Sequence, residues 1–183
     1  EIIMKLRKYI LTVMIGITAM TVLSSCANKE NAVKGQPDQS TQEIFAMDTY
    51  MSLTAYGSNS EEAVNKAVQE INRLDAMFSV GNADSDVTKI NENGSGEVSE
   101  ETAFIINRAM QVSEKTNGAF DITIYPLMEL WGFTTKNYRV PESSEIAEAL
   151  KGVSYTNVSV NGQQVALTGG SSIDLGGIAK GYT

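Results

Sequence analysis

Two stretches of the chain concentrate residue types able to do chemistry. One is the last segment, Ser171-Ser172-Ile173-Asp174-Leu175-Gly176-Gly177-Ile178-Ala179-Lys180-Gly181-Tyr182-Thr183. It reads as a strand, a glycine turn and the opening of a helix. Glycines let backbone approach a ligand closely, free N–H groups at a helix start favour anions, and Lys180 adds a positive charge. Phosphate is the natural guest of such a turn. Asp174 would then accept from a ribose or base edge, or stand beside a phosphate-bound cation. A tight strand-to-helix turn with a capping Asp and a solvated Lys is the competing reading, and the spacing is neither GxGxxG nor a P-loop. The other stretch runs from Thr116 to Phe133 and sets Asp121 among apolar residues that include the only Trp. A carboxylate there must be paired, cap a nearby backbone or stand at a cleft edge. Trp131 and Phe133 read as core.

Composition narrows the chemistry. The chain has 183 residues, no His and one Cys. Within it there is no imidazole for a Ser-His-Asp or Cys-His site or a His-bearing zinc centre, so acid–base work falls to carboxylates, Lys or Tyr. One thiol forbids an internal disulfide. The net charge of −8 lacks the basic excess of a nucleic-acid binder, so no nucleic-acid partner is expected.

The lone thiol has its own context. Lys5, Arg7 and Lys8 precede an uncharged run from Ile10 to Leu23, followed by Leu23-Ser24-Ser25-Cys26. The run is shorter than the roughly 20 residues that span a bilayer, and the order of parts is that of a signal peptide over residues 1–25. Leu-Ser-Ser-Cys resembles the bacterial lipobox, in which Cys26 becomes the first residue and is lipidated. A short membrane anchor and a plain secretory signal are the alternatives. Removing residues 1–25, with three basic residues and Glu1, leaves a body of charge −10, so acyl chains would have to do the tethering. The expected location is exported and lipid-anchored to a bacterial membrane, periplasmic or on the outer side of the inner membrane. Residues 26–43 are polar and read as a flexible tether, leaving 44–183 as the folded part.

The elements that must position these residues alternate between helix and strand. Phe45, Met47, Thr49, Met51, Leu53 and Ala55 have the period of one half-buried strand ended by Gly57. Ser58 and Glu61 have capping-box spacing before a helix over 60–78, whose face is Val64, Ala67, Val68, Ile71, Leu74 and Phe78. Residues 79–96 read as loop, interrupted by Val87 and Ile90. A second helix starts at Ser99 with Glu100 and Glu101 in its first turn and stops at Asn117-Gly118, where Gly fits the left-handed cap. A third runs over 143–151, closed by Gly152. Strands 157–160 and 164–167 flank Asn161-Gly162, a type I′ hairpin signal.

Taken together, Asn117-Gly118-Ala119-Phe120-Asp121-Ile122-Thr123, Pro126-Leu127, Leu130-Trp131-Gly132-Phe133 and Asp174-Leu175-Gly176-Gly177-Ile178-Ala179-Lys180-Gly181 resemble the ApbE family of flavin transferases. Met47-Asp48-Thr49 and Leu74-Asp75-Ala76-Met77-Phe78-Ser79 resemble two further family segments. The resemblance implies an α+β fold with a mixed or antiparallel sheet and packed helices. It implies an enzyme that uses FAD and a divalent cation, usually Mg2+. FMN would pass through a phosphodiester to a Thr or Ser hydroxyl of an acceptor flavoprotein, with release of AMP. Carried over by position, Met47, Ala119, Phe120, Asp121 and Asp174 would contact FAD, Lys180 would lie against its pyrophosphate, and the main-chain carbonyl of Gly177 would be one metal ligand. Two positions depart from the pattern: Asp48 stands where Gly is usual, and Gly81 where the family has a ring contact. Family members extend well beyond this body, and their remaining metal ligands would lie past Thr183. A truncated chain, inactive alone and binding FAD weakly, is therefore expected. An FAD pyrophosphatase with water as nucleophile, and a non-catalytic lipid-anchored flavin-binding lipoprotein, are the alternative functions.

Overall fold

The computed structural model describes residues 38–183. The expected signal peptide, the lipidation site Cys26 and most of the tether lie outside the described residues. No helix among the described residues is long and apolar enough to cross a membrane. The described residues form one α+β unit.

The unit begins earlier than the sequence suggests. Residues Gln39–Ala46 form strand β1 and Thr49–Tyr56 form β2, an antiparallel hairpin in which Gln39 pairs with Tyr56 and Ala46 with Thr49. The last residues assigned to the tether therefore belong to a strand, and the single strand read over Phe45–Ala55 is two strands with Met47 in the turn. The tether reading failed because the first part of β1, through Glu43, is held by backbone pairing and polar contacts, with its apolar burial left to Ile44 and Ala46 further on. Thr41 and Thr54 share a hydroxyl–hydroxyl bond of 2.9 Å, and Gln42 donates to Asn65 at 2.6 Å.

Both turn residues are left-handed, Met47 at φ 51° and Asp48 at φ 52°. This is the type I′ geometry that matches strand twist but prefers Asn-Gly. Asp48 gains little in return, since its Lys136 ion pair is 3.8 Å long and exposed. Asp48→Gly should raise stability by about 0.5–1 kcal/mol, read as a shifted urea midpoint at unchanged slope.

Helix α1, Ser60–Phe78, packs against both hairpin strands and buries Val64, Ile71, Leu74 and Phe78. Its N-cap is Asn59 without a side-chain bond, so the expected Ser58–Glu61 capping box does not form. The stretch read as loop contains helix α2, Asp86–Asn93, capped by Ser85, which accepts from Thr88, and closed by left-handed Gly94. Val87 and Ile90 are the reason: they are 0% and 1% exposed, so two core contacts hold a short polar helix. Helix α3, Glu100–Lys115, has Ser99 accepting from the Thr102 N–H. It ends in a Schellman arrangement, with Asn117 rather than Gly118 as the first left-handed residue at φ 53°; Asn117 donates to the Glu114 carbonyl and Gly118 to that of Ser113.

Asp86 ties α2 to α3. One of its oxygens accepts from the Ser99 N–H at 2.9 Å and from the Thr102 hydroxyl at 2.6 Å. Burial pushes the Asp86 carboxyl up, but the bonds from Thr102 and Ser99 outweigh it and hold the carboxyl below the usual aspartate value. A depressed folded value stabilises at pH above the unfolded value of about 3.9 and is lost as pH falls through the folded one. Asp86→Asn should cost about 1.5 kcal/mol at pH 7, and the gap to wild type in urea unfolding should close below about pH 4.

Beyond α3, Ile122–Ile124 form a 3-10 turn leading into α4, Tyr125–Leu130. Helix α5, Ser143–Ala149, continues as a 3-10 turn through Gly152. Strand β3, Ser95–Glu97, pairs antiparallel with β5, Gln164–Leu167, which pairs with β4, Val158–Asn161. Asn161 and Gln164 close the β4–β5 hairpin around Gly162 and Gln163, and only Gly162 has positive φ, the type II′ pattern rather than type I′. Helix α6, Gly176–Tyr182, ends the chain. One core runs through α1, α2, α3, both sides of the β4–β5 hairpin and the closing segment, with Ile106, Ile122, Val165, Ile173 and Leu175 at 0–1% exposure.

Candidate functional site

The closing segment enters this core without forming the strand expected of it. Ile173 is 0% exposed, and its backbone is paired to a side chain. The Asn91 amide on α2 accepts from the Ile173 N–H at 2.7 Å and donates to the Ile173 carbonyl at 2.8 Å. Asp174 then donates its N–H to the Ile122 carbonyl at 2.8 Å. An oxygen of its carboxylate accepts from the Gly176 N–H at 2.7 Å, turning the chain into α6.

Asp121 is equally committed to backbone. One oxygen accepts from the Thr123 N–H and hydroxyl at 2.8 and 2.7 Å, and the other from the Tyr155 N–H at 2.7 Å. Asp121 thus fixes the turn whose Ile122 carbonyl receives Asp174. Phe120 lies over the start of α6, where a Cβ on Gly177 would come within 3.1 Å of its ring. Ala119 is exposed beside it.

Met47, Asp174 and Lys180, far apart in sequence, line one recess of about 100 Å3 together with Asp75, Phe78 and Gly176. The Thr183 hydroxyl reaches the Met47 sulfur at 3.7 Å, so the hairpin turn and α6 touch. Beside the recess lies a groove of about 670 Å3 that shares Asp48, Ser79, Val80 and Asp174, within the range of cofactor sites. Gly81, Met128, Phe133, Lys136 and Tyr138 form much of its wall.

Two residues expected in the core stand elsewhere. Phe133 is 50% exposed and meets Tyr138 edge-on at 5.8 Å, and Trp131 is half-buried. For Phe133 the cause is the left-handed Gly132, which turns the chain outward after α4. The Thr134 hydroxyl, buried in this wall, has no hydrogen-bond partner among the described residues.

Asn91 and Tyr125 carried no motif that singled them out. Burial first, then the Glu129 and Asp174 carboxylates, push the Tyr125 phenol up to about 12, so it stays a proton donor at neutral pH. Among the described residues no three or more Asp, Glu or Cys side chains are grouped to hold a metal ion.

This combination of an α+β unit and a Met-, Asp- and Lys-lined recess defines a class. The ApbE family model matches residues 47–183, and the chain belongs to the ApbE family. It is 24% identical to the FAD:protein FMN transferase of Haemophilus influenzae, over 96% of this chain and 53% of that protein. The crystal structure of the ApbE protein of Thermotoga maritima superposes with a TM-score of 0.75 at 38% identity, over 79% of this chain and 50% of that one. The apo flavinyl transferase ApbE of Pseudomonas stutzeri matches in fold, with a TM-score of 0.70 at 24% identity, over 80% of this chain and 52% of that one. The chain spans about half the length of the relatives it matches.

Proposed function

We propose that this chain supplies the dinucleotide-holding part of an FAD:protein FMN transferase. The observation that carries the reading is the meeting of Met47, Asp174 and Lys180 in one recess opening beside a cofactor-sized groove; the names of the relatives support it. In the reaction, the Thr or Ser hydroxyl oxygen of an acceptor flavoprotein bonds to the phosphorus of the FMN half of FAD. The bond from that phosphorus to the bridging oxygen breaks, its electron pair leaves with AMP, and the hydroxyl proton is released. Lys180 would offset the negative charge that gathers on the pyrophosphate. Its ammonium is exposed, and among the described residues no carboxylate lies within ion-pair distance of it.

Mg2+ belongs to the proposal through the family resemblance alone. The Gly177 carbonyl and the Asp174 carboxylate are oxygen donors of suitable hardness but too few for an octahedral shell, so no step is routed through the metal. The membrane anchor at Cys26 and an exported location are proposed from the lipobox.

The test incubates the whole protein with FAD, Mg2+ and an acceptor flavoprotein and follows the acceptor by mass spectrometry. A covalent FMN increment with release of AMP is the expected result. Free FMN plus AMP would establish the pyrophosphatase instead, and unchanged FAD a binding protein. Lys180→Ala should weaken FAD binding about tenfold, the loss of about 1.4 kcal/mol that one charge-assisted contact supplies, with the unfolding midpoint unchanged.

A further inference from the structure

Among the described residues, Asn91 is the one whose side chain uses its whole hydrogen-bonding group on the backbone just ahead of the recess. Helix α2 explains how it gets there. Val87 and Ile90 anchor the helix in the core, and Asn91 stands one turn on from Val87, on the same side. From that place its amide meets both the N–H and the carbonyl of Ile173, at 2.7 and 2.8 Å, across 82 residues of sequence. These are the two bonds a neighbouring strand would make. The next residue is Asp174, whose own N–H is held by Ile122 and whose carboxylate starts α6. Residues 173 and 174 are thus pinned from two sides, by α2 and by the turn after Asp121. Remove Asn91, and Ile173 keeps its buried side chain while its N–H and its carbonyl both lose their partner, so that the peptide joining it to Asp174 is held only by the bond from the Asp174 N–H to the Ile122 carbonyl.

We infer that Asn91 is a positioning residue for Asp174: its amide replaces a missing strand and sets the angle at which the Asp174 carboxylate and the start of α6 face the recess. The consequence for FAD rests on the function proposed above, whereas the consequence for the backbone does not.

The experiment therefore has two arms, both on the whole protein. In the ligand-free arm, amide hydrogen exchange is compared between wild type, Asn91→Ala and Asn91→Asp, with Asn93→Ala as a control on the same helix. The amides of Ile173, Asp174 and Gly176 should exchange at least tenfold faster in Asn91→Ala, less so in Asn91→Asp, which keeps an acceptor for the Ile173 N–H, and at the wild-type rate in Asn93→Ala. Unchanged rates at Asp174 and Gly176 in Asn91→Ala would overturn the inference whether or not the protein binds FAD. In the second arm, FAD dissociation constants are measured for Asn91→Ala, Asp174→Ala and the double variant. Each single change should weaken binding about tenfold, and the double variant should bind like Asp174→Ala alone, because Asn91 acts through Asp174. Losses that multiply to about a hundredfold would mean that Asn91 acts by general stability, and would overturn it. A wild-type protein that does not bind FAD would overturn the proposed function and leave the exchange result standing.

Discussion

Replacing Asp121 with alanine should cost the fold about 3–5 kcal/mol, with the protein free of any ligand. The carboxylate accepts three bonds, two from Thr123 and one from the Tyr155 N–H. Thr123 is 0% exposed, so water cannot replace the lost acceptor there. A hydrogen bond to a charged group contributes about 1.5–3 kcal/mol, and an orphaned buried donor costs about 1–3. Against a total stability of about 5–15 kcal/mol for a domain, this is a large share. Asp121→Asn should fall between. Its amide oxygen can still serve Thr123, but its N–H2 group then faces the Tyr155 N–H, donor against donor, for a loss of about 2 kcal/mol. Urea unfolding of the ligand-free protein measures both. If Asp121 served chiefly as a ligand contact, alanine would leave the apo midpoint in place and weaken only FAD binding.

This carboxylate also shows how far the sequence reaches. That Asp121 needed a partner followed from its apolar neighbours, but the partner Tyr155 stands 34 residues away on no shared motif. The long elements were legible because they signal redundantly: α1 has a periodic apolar face, α3 a Ser cap, acidic first turn and closing Asn-Gly, and β4–β5 a glycine turn. Short or polar elements were not. Helix α2 rests on Val87 and Ile90, whose burial is decided by what packs on them. Strand β1 faces α1 with Ser40 and Gln42, side chains that look like linker. The strand expected before Gly176 failed for the opposite reason: its apolar residues are buried as read, but an Asn side chain takes the place of the neighbouring strand. The candidate residues Met47, Asp174 and Lys180 were singled out by motif alone, and only the fold brings them to one recess.

Gly132→Ala should cost about 2–5 kcal/mol and dislodge one wall of the groove. Gly132 closes α4 in a Schellman arrangement, its N–H on the Glu129 carbonyl and the Phe133 N–H on the Met128 carbonyl, at φ +78°. For a residue with a side chain the left-handed region costs about 1–2 kcal/mol. Here there is a second obstacle, since a Cβ would fall 2.0 Å from the Asn137 carbonyl oxygen and 2.5 Å from its carbon. Backbone cannot rotate aside as a flexible side chain can, so either α4 or the strand of loop at Asn137–Tyr138 must move, adding the about 1–3 kcal/mol typical of overpacking. Gly94 separates the two costs. It is also left-handed, at φ +71°, yet nothing lies within 4 Å of its Cβ position, so Gly94→Ala should lose only about 1–2 kcal/mol. Gly132→Asn sharpens the comparison: asparagine tolerates positive φ but still carries a Cβ, so it should recover only the backbone part of the loss and keep the about 1–3 kcal/mol of overpacking. Were the asparagine variant close to wild type, backbone conformation rather than contact with Asn137 would be the reason for glycine. Because Phe133, Lys136 and Tyr138 hang from this turn, limited proteolysis within residues 133–140 should quicken in Gly132→Ala even where the core formed by Ile105, Ile106 and Ile173 stays intact. On the proposed function, its loss of FAD affinity should then exceed that of Gly94→Ala.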